Sequence, residues 1–319
     1  MVEYRRIYRG EDQRLRAIFR ILIPFLVFFG VVVAVSPLLQ TLSLPDVLLN
    51  APSNIVSLVA LISAVTVASR IDHRSVSDYG FSLDRQWWLD FTAAVIAGAL
   101  FATLVDLLWI GVGSASVRET ISTGIATDTA TLVVATLSIL FAFTVVSLWE
   151  EFLFRGVIIL NTVEWIRLHG GSPATAVGGA LALSTIVFAL PHGLAASAGF
   201  INPSFAILQS TFAGIYFAVA YLWTGSLAFP IGLHLVTNLW TVMVFGIVNS
   251  SEPTLIRLER ESLLGIEVLF VLSVPFVAIL CMILCWVYLT RGSISPQFAW
   301  NNVEPALFTE SASESTTNN

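Results

Sequence analysis

Six residues of this chain have types and spacings that could do chemistry together. Glu150 and Glu151 are adjacent, Arg155 follows Glu151 at i+4, His192 sits beside Pro191, and His234 is followed at i+4 by Asn238. All six lie in long apolar runs. An ionisable group at membrane depth costs about 2.5–3.5 kcal/mol on insertion scales, so a cluster of them reads by default as a functional site. Each has a plain structural reading as well. A lone histidine in an apolar helix is commonly a satisfied packing residue, and Glu151 with Arg155 would form an intrahelical ion pair. Taken together they most cheaply satisfy one another, because burying a polar group without a partner is costly.

Helical geometry separates their roles. Glu151 and Arg155 share a face, whereas Glu150 lies about 100° around the helix from Glu151 and is the freer carboxylate. His234 and Asn238 present two polar side chains on one face. Pro191 removes a helical hydrogen bond next to His192 and can re-aim the imidazole.

One carboxylate and two imidazoles support two chemistries. In the first, Glu150 and His192 polarise a water by general-base action while His234 and Asn238 donate to a developing oxyanion. In the second, Glu150, His192 and His234 bind a divalent metal, most plausibly zinc, which acidifies the water itself. Both hydrolyse a carbonyl compound. A nucleophilic serine has less support, since the chain holds no Gly-x-Ser-x-Gly elbow.

The elements that must position these groups are membrane helices. The 319-residue chain is 56% hydrophobic and 11% charged, with mean hydropathy +0.86, against about 25% charged in soluble domains. Apolar runs near the roughly 20 residues needed to cross a bilayer recur along the chain and lack the alternation of barrel strands. The expected fold is therefore all-α, a polytopic transmembrane bundle of about eight spans. A net charge of −6 and the absence of basic clusters exclude nucleic acid as a partner. Cys281 and Cys285 share a helix face in the last run and imply neither a disulfide framework nor a metal knuckle.

In chain order, residues 1–20 form an Arg-rich N-terminal segment, 21–290 the membrane domain with its motif core at 145–240, and 291–319 a polar tail whose end has a disordered composition. The first apolar run, about 21–39, is longer than a signal-peptide core and reads as a retained span. Further spans fall at about 47–69, 89–112, 131–168, 174–201, 205–223, 227–248 and 263–289. The stretch 113–129 and the charged stretch 252–261 read as loops, and Trp87 with Trp88 as an interfacial belt. The run 131–168 is too long for one crossing, so it bends near Gly156 or leaves the hydrocarbon. Thr224-Gly225-Ser226 reads as a tight turn.

Arginine, the only basic residue besides histidine, falls mostly on the side of the termini, with Arg118, Arg257 and Arg260 opposite. The positive-inside rule then puts both termini in the cytoplasm, in a multi-pass protein of the cell membrane.

Glu150-Glu151-x-x-x-Arg155, Phe188-x-x-x-His192 and His234-x-x-x-Asn238, in this order on successive helices, resemble the three motifs of the CPBP intramembrane proteases. This family, also called Abi or CAAX proteases, includes the type II CAAX prenyl endopeptidases. The resemblance covers about residues 145–240, and the Tyr79-Gly80-Phe81 connector is also similar. It implies Glu150 as general base, His192 as its partner on the water, His234 with Asn238 as the oxyanion or metal-binding pair, and Arg155 and Glu151 in support. Phe188 reads as a packing partner on the face of His192.

The expected function is hydrolysis of a peptide bond in a membrane-associated protein or peptide, lipidated or not, with the lipid bilayer as the other partner. Proton-coupled transport and a non-catalytic immunity or scaffold role are the alternatives. A simple topology would hold Glu150 and His192 about 25 Å apart. The fifth helix must therefore begin in the cytoplasm and cross the hydrocarbon at about 181–201, which brings His192 to mid-depth.

Overall fold

The computed structural model of the chain describes residues 14–39, 51–197, 203–247, 251–261 and 266–297. The expectations for residues 1–13 and for the tail beyond 297 lie outside these. The described elements run α1 (Ala17–Leu39), α2 (Ala51–Asp72), a short 3-10 turn (Val76–Tyr79), α3 (Arg85–Gly111), β1 (Ala115–Ser122) and α4 (Thr129–Glu150). A wide-turned π segment (Glu151–Val157) then leads to α5 (Ile158–Leu168), α6 (Pro173–Ser197), α7 (Pro203–Thr224) and α8 (Ala228–Leu239). A second π segment (Trp240–Val244), β2 (Phe245–Ile247), β3 (Thr254–Arg260) and α9 (Ile266–Arg291) complete the order.

Among the described residues seven helices are long and apolar enough to cross a membrane, with Thr129–Leu168 counted as one, and Ala228–Val244 is a shorter apolar helix. The expected all-α polytopic bundle is borne out. The run 131–168 does not break at Gly156: its turns widen to π geometry from Glu151 to Val157, and it continues as helix.

Local chemistry sets the helix ends. Asp84 accepts the Trp87 backbone N–H at 2.8 Å and opens α3. Asp128 accepts the Thr131 N–H at 2.8 Å while Thr131 Oγ1 accepts the Asp128 N–H at 3.1 Å, a reciprocal cap that opens α4. Gly170, at φ 80°, closes α5. The predicted turn at Thr224-Gly225-Ser226 joins α7 to α8, and the Tyr79-Gly80-Phe81 connector docks on it. Gly80 has φ 102°, a Cβ there would fall 2.6 Å from the Leu227 nitrogen, and its carbonyl accepts from Leu227 N–H at 3.1 Å and Trp87 Nε1 at 3.0 Å. Only glycine fits that approach.

Trp87 is thereby corrected from membrane belt to core: it is buried, and only Trp88 is exposed. Cys281 and Cys285 are free and face outward.

The two stretches read as loops are strands. β1 pairs antiparallel with β3 from Ala115↔Arg260 to Ser122↔Thr254, and β2 pairs parallel with β3, giving the order β1-β3-β2. β1 is exposed beyond Ala115, β3 buries Thr254, Arg257 and Leu258, and ion pairs add to the hold on the sheet. Arg118 pairs with Glu259, Arg257 with Glu119 at 3.2 Å, and Arg260 with the buried Asp106 of α3. These are the three arginines that the charge bias placed opposite the termini.

Ionic networks tie the helices elsewhere. Glu164 of α5 accepts from Arg20 at 2.9 Å, from Arg74 at 2.7 Å and from Arg14. Next to it Asp72 accepts from the Tyr79 hydroxyl at 2.6 Å and from Asn161 at 3.0 Å. Burial, then the Asp72 charge, push the Tyr79 hydroxyl pKa up, so the group stays a donor. Asp90 binds Arg291 at 2.6 Å and Trp286 Nε1 at 2.8 Å, which fastens the start of α3 to the end of α9.

Close packing of small residues places the helix that carries His234. A Cβ on Gly98 of α3 would fall 2.3 Å from Val236 Cγ1, and one on Gly232 of α8 would fall 2.7 Å from the Phe91 carbonyl oxygen. Without a hydrophobic drive between helices in lipid, such close approach is a main source of association. On the other side of the site, α6 and α7 meet at Gly214, where a Cβ would lie 3.0 Å from Thr185 Cγ2.

Candidate active site

The π segment is buried along its whole length, from Glu151 to Val157. A π turn spends more residues per revolution than an α turn and often marks a functional site. It also disturbs the backbone ladder, and the Phe154 carbonyl accepts instead from Ser184 Oγ of α6 at 2.9 Å. That bond joins the segment to the helix bearing His192.

Arg155 is fully buried. Its Nη1 donates to Glu151 Oε1 at 3.1 Å, the ion pair that the i, i+4 spacing predicts. The guanidinium carbon lies 4.3 Å from the centroid of the Phe188 ring and 5.0 Å from that of Phe217. A desolvated cation on two ring faces gains about 2 kcal/mol per favourable contact, which offsets part of the cost of burying it. Phe188 is therefore more than a packing partner of His192. Its ring touches the Arg155 guanidinium and lies 4.5 Å from the His192 ring and 6.4 Å from that of His234.

Glu151 makes a second contact. Its Oε1 accepts from His234 Nδ1 at 2.7 Å. A carboxylate only accepts, so Nδ1 carries the proton and Nε2 is left for the other side of the ring. That side is Glu150, whose Oε2 lies 3.9 Å from His234 Nε2. The two glutamates thus do not point to separate places, as a rotation of about 100° had suggested. They approach the two nitrogens of one imidazole. Phe217 stacks on that imidazole, with centroids 4.8 Å apart and planes 24° apart.

His192 and His234 both lie near the Phe188 ring. The His192 Nδ1 bonds the Phe188 backbone carbonyl at 2.7 Å, which makes Nδ1 the donor and leaves Nε2 as an acceptor. Asn238 sits one turn beyond His234 on the same face of α8, half-buried. Its side chain has no hydrogen bond among the described residues. The fold therefore brings Glu150, Glu151, Arg155 and His234 into direct contact, sets His192 beside them and holds Asn238 one step away.

Charge arithmetic constrains the cluster. Glu150, Glu151 and Arg155 carry a formal net charge of −1 in a buried place, which favours a further cationic or donor group beside them. Glu150 Oε2 is buried and has no hydrogen-bond partner among the described residues. No group of three His, Cys, Asp or Glu side chains among the described residues is arranged to hold a metal ion. The set Glu150, His192 and His234 does not fit a three-ligand metal centre as it stands.

Phe217 and Ser184 are the members that sequence reasoning missed. An aromatic or serine in an apolar helix carries no signal of its own, and only the packing of α7 and α6 on the π segment brings these two to the site.

The fold and the buried cluster of carboxylates, imidazoles and guanidinium define a class, membrane-embedded helical proteins with a buried polar centre. Residues 131–240 match the family described as type II CAAX prenyl endopeptidase Rce1-like. The resemblance to the CPBP, or CAAX-protease, family read from the three motifs is borne out over this segment. With its seven long apolar helices the chain is an integral membrane protein. No curated protein and no solved structure matches it.

Proposed function

We propose that this chain is an intramembrane endopeptidase that hydrolyses a peptide bond of a membrane-associated protein or peptide with a water activated by Glu150. The observation that carries this reading is the single imidazole set between two adjacent carboxylates, with His234 Nδ1 held by Glu151 at 2.7 Å and its Nε2 facing Glu150.

Glu150 takes a proton from water as the water oxygen attacks the peptide carbonyl carbon. The Nε2 of His192, an acceptor by its tautomer, orients the same water. As the carbonyl oxygen gains charge, protonated His234 donates Nε2–H to it, stabilised through Nδ1 by Glu151, and Asn238 supplies a second donor. The carbon–nitrogen bond then breaks and Glu150 returns its proton to the leaving amine. A positioned base of this kind is worth about 10²–10⁴-fold and an oxyanion donor about 10²–10³-fold. Arg155 holds Glu151 in place through their ion pair.

The family's printed description names prenylated CAAX substrates, and a lipidated C-terminal peptide is the first substrate to test. Both termini lie in the cytoplasm on the arginine bias. Glu150→Gln keeps the shape and removes the base. In reconstituted vesicles it is expected to abolish cleavage and to trap a bound substrate. Cleavage by Glu150→Gln at the wild-type rate rejects the proposal, and substrate-driven proton flux in the same vesicles favours transport. Dialysis against a chelator is expected to leave activity intact. Loss restored by zinc would instead assign Glu150, His192 and His234 to a metal.

A further inference from the structure

The connector between α2 and α3 lies outside the site yet touches both elements that build it. Tyr79, at the end of the short 3-10 turn, is fully buried. Its ring meets the Phe152 ring edge-on, with centroids 5.3 Å apart, and Phe152 follows Glu151 directly in the π segment. A Cβ on Gly156, one turn further along that segment, would fall 3.7 Å from Tyr79 Cβ and 3.6 Å from Leu227 Cδ1. The bare face at Gly156 thus lets Tyr79 and the residue that opens α8 pack side by side on the π segment.

The same connector caps α8. The Gly80 carbonyl accepts the Leu227 N–H at 3.1 Å, a donor for which the start of a helix has no partner of its own. The Tyr79 carbonyl accepts from the Tyr221 hydroxyl of α7 at 3.0 Å. His234 stands about 10 Å further along α8 from Leu227. The wedge of Tyr79 and Gly80 therefore sits between the segment that carries Glu151 and the helix that carries His234.

One buried carboxylate sets the depth of this wedge. Asp72, the last residue of α2, is fully buried. Its Oδ2 accepts from the Tyr79 hydroxyl at 2.6 Å and from Asn161 Nδ2 at 3.0 Å, with Arg20 and Arg74 as counter-charges at 3.8 and 3.6 Å. The same Asn161 Nδ2 donates to the carbonyl of Val157, the last residue of the π segment, at 3.0 Å. Filling space would not call for this set. Apolar side chains of similar size fill a core without the cost of desolvating a carboxylate, an amide and a phenol. What the polar set adds is direction, because a hydrogen bond fixes distance and angle where apolar surfaces can slide.

We propose that Tyr79 and Asn161 are positioning residues for the contact between Glu151 and His234. Asn161 ties the end of the π segment to Asp72, and Tyr79 ties the wedge under α8 to the same carboxylate. Through Asp72 the two fix how the π segment stands relative to α8, and with it the 2.7 Å bond from His234 Nδ1 to Glu151. The purpose of that bond rests on the proteolytic reading, but the bond itself is observable without cleavage.

The test is made on the full chain with isotopically labelled histidine, followed by NMR in lipid nanodiscs. The chain has four histidines, and the Nδ1 proton of His234 is assigned by its loss in His234→Gln. Tyr79→Phe keeps the ring and deletes only the donor to Asp72. It is expected to move this proton upfield and to speed its exchange with water about 10-fold. Asn161→Leu is expected to do the same, and the double variant no more than the larger single effect, since both act through one carboxylate. Val271→Ala, in the separate small core where α9 meets Trp109 and Ala115, is the control for general loss of stability and is expected to leave the proton unmoved. An unchanged proton in Tyr79→Phe overturns the proposal, as does an equal shift in Val271→Ala at the same loss of Tm, and additive effects overturn the shared action through Asp72. In cleavage assays Tyr79→Phe is expected to lower kcat about 10-fold with KM kept. A shifted proton with wild-type kcat upholds the positioning and overturns the role given to Glu151 and His234 in cleavage.

Discussion

His234 Nδ1 lies 2.7 Å from Glu151 Oε1, so a histidine on α8 and a glutamate on the π segment form one buried unit. The same glutamate oxygen accepts from Arg155 at 3.1 Å. Glu151 thus links the Arg155 guanidinium to the His234 imidazole.

Glu151→Gln should preserve the geometry, since a glutamine oxygen still accepts from Nδ1, while removing the charge that favours an imidazolium. On the proposed mechanism kcat falls by about 10²–10⁴ with little change in KM. Steady-state cleavage in vesicles, with thermal melting to establish that the variant is folded, checks this.

Arg155→Leu leaves Glu151 buried without its cation. Breaking one side of a buried pair costs about 3–5 kcal/mol. Most of this should appear as a lower Tm in detergent. An unchanged Tm would mean that Phe188 and Phe217, not the charge, hold this part of the core.

Gly232→Ala probes how closely α8 must approach α3. Its new Cβ would fall 2.7 Å from the Phe91 carbonyl oxygen, a backbone atom that cannot turn aside. Overpacking of this kind costs about 1–3 kcal/mol. Because the helix must move, His234 shifts with it, so activity should fall further than stability does. Parallel melting and rate measurements would show the difference, and a variant with wild-type values of both would rule out the close contact.

Asp128 gives a pH test away from the membrane core. Hydrogen bonds from the Thr131 backbone and side chain hold its carboxyl below the usual carboxylate range. A folded value lower than the unfolded one means that its contribution is fully present above the ordinary Asp range and is lost as pH falls through the lowered value. Wild-type Tm should therefore decline on acidification more than that of Asp128→Ala. Identical acid slopes would remove Asp128 from the account.

Much of the architecture was legible because hydrocarbon is an unforgiving solvent for the backbone. Runs such as 205–223 and 263–289 have one stable form in it, a helix, and the structure has α7 and α9 there. The strands were not legible, because β1 and β3 pair across more than a hundred residues and Arg118, Arg257 and Arg260 interrupt any apolar alternation along them. Trp87 looked like its neighbour Trp88, and only the docking of Gly80 on the α7–α8 turn makes one a core residue and leaves the other outside.

By itself the sequence determined which groups must seek each other. Charges at Glu150, Glu151 and Arg155 and imidazoles at His192 and His234 cannot remain alone among apolar residues, and the i, i+4 spacing already joined Glu151 to Arg155. Tertiary structure alone decided the assignments within that set. A one-dimensional spacing says which side chains share a helix face, but not which faces meet. The widened turn at Glu151–Val157 and the glycine contacts that bring α8 against α3 put both glutamates on one imidazole, with Glu151 bonded to Nδ1 and Glu150 facing Nε2.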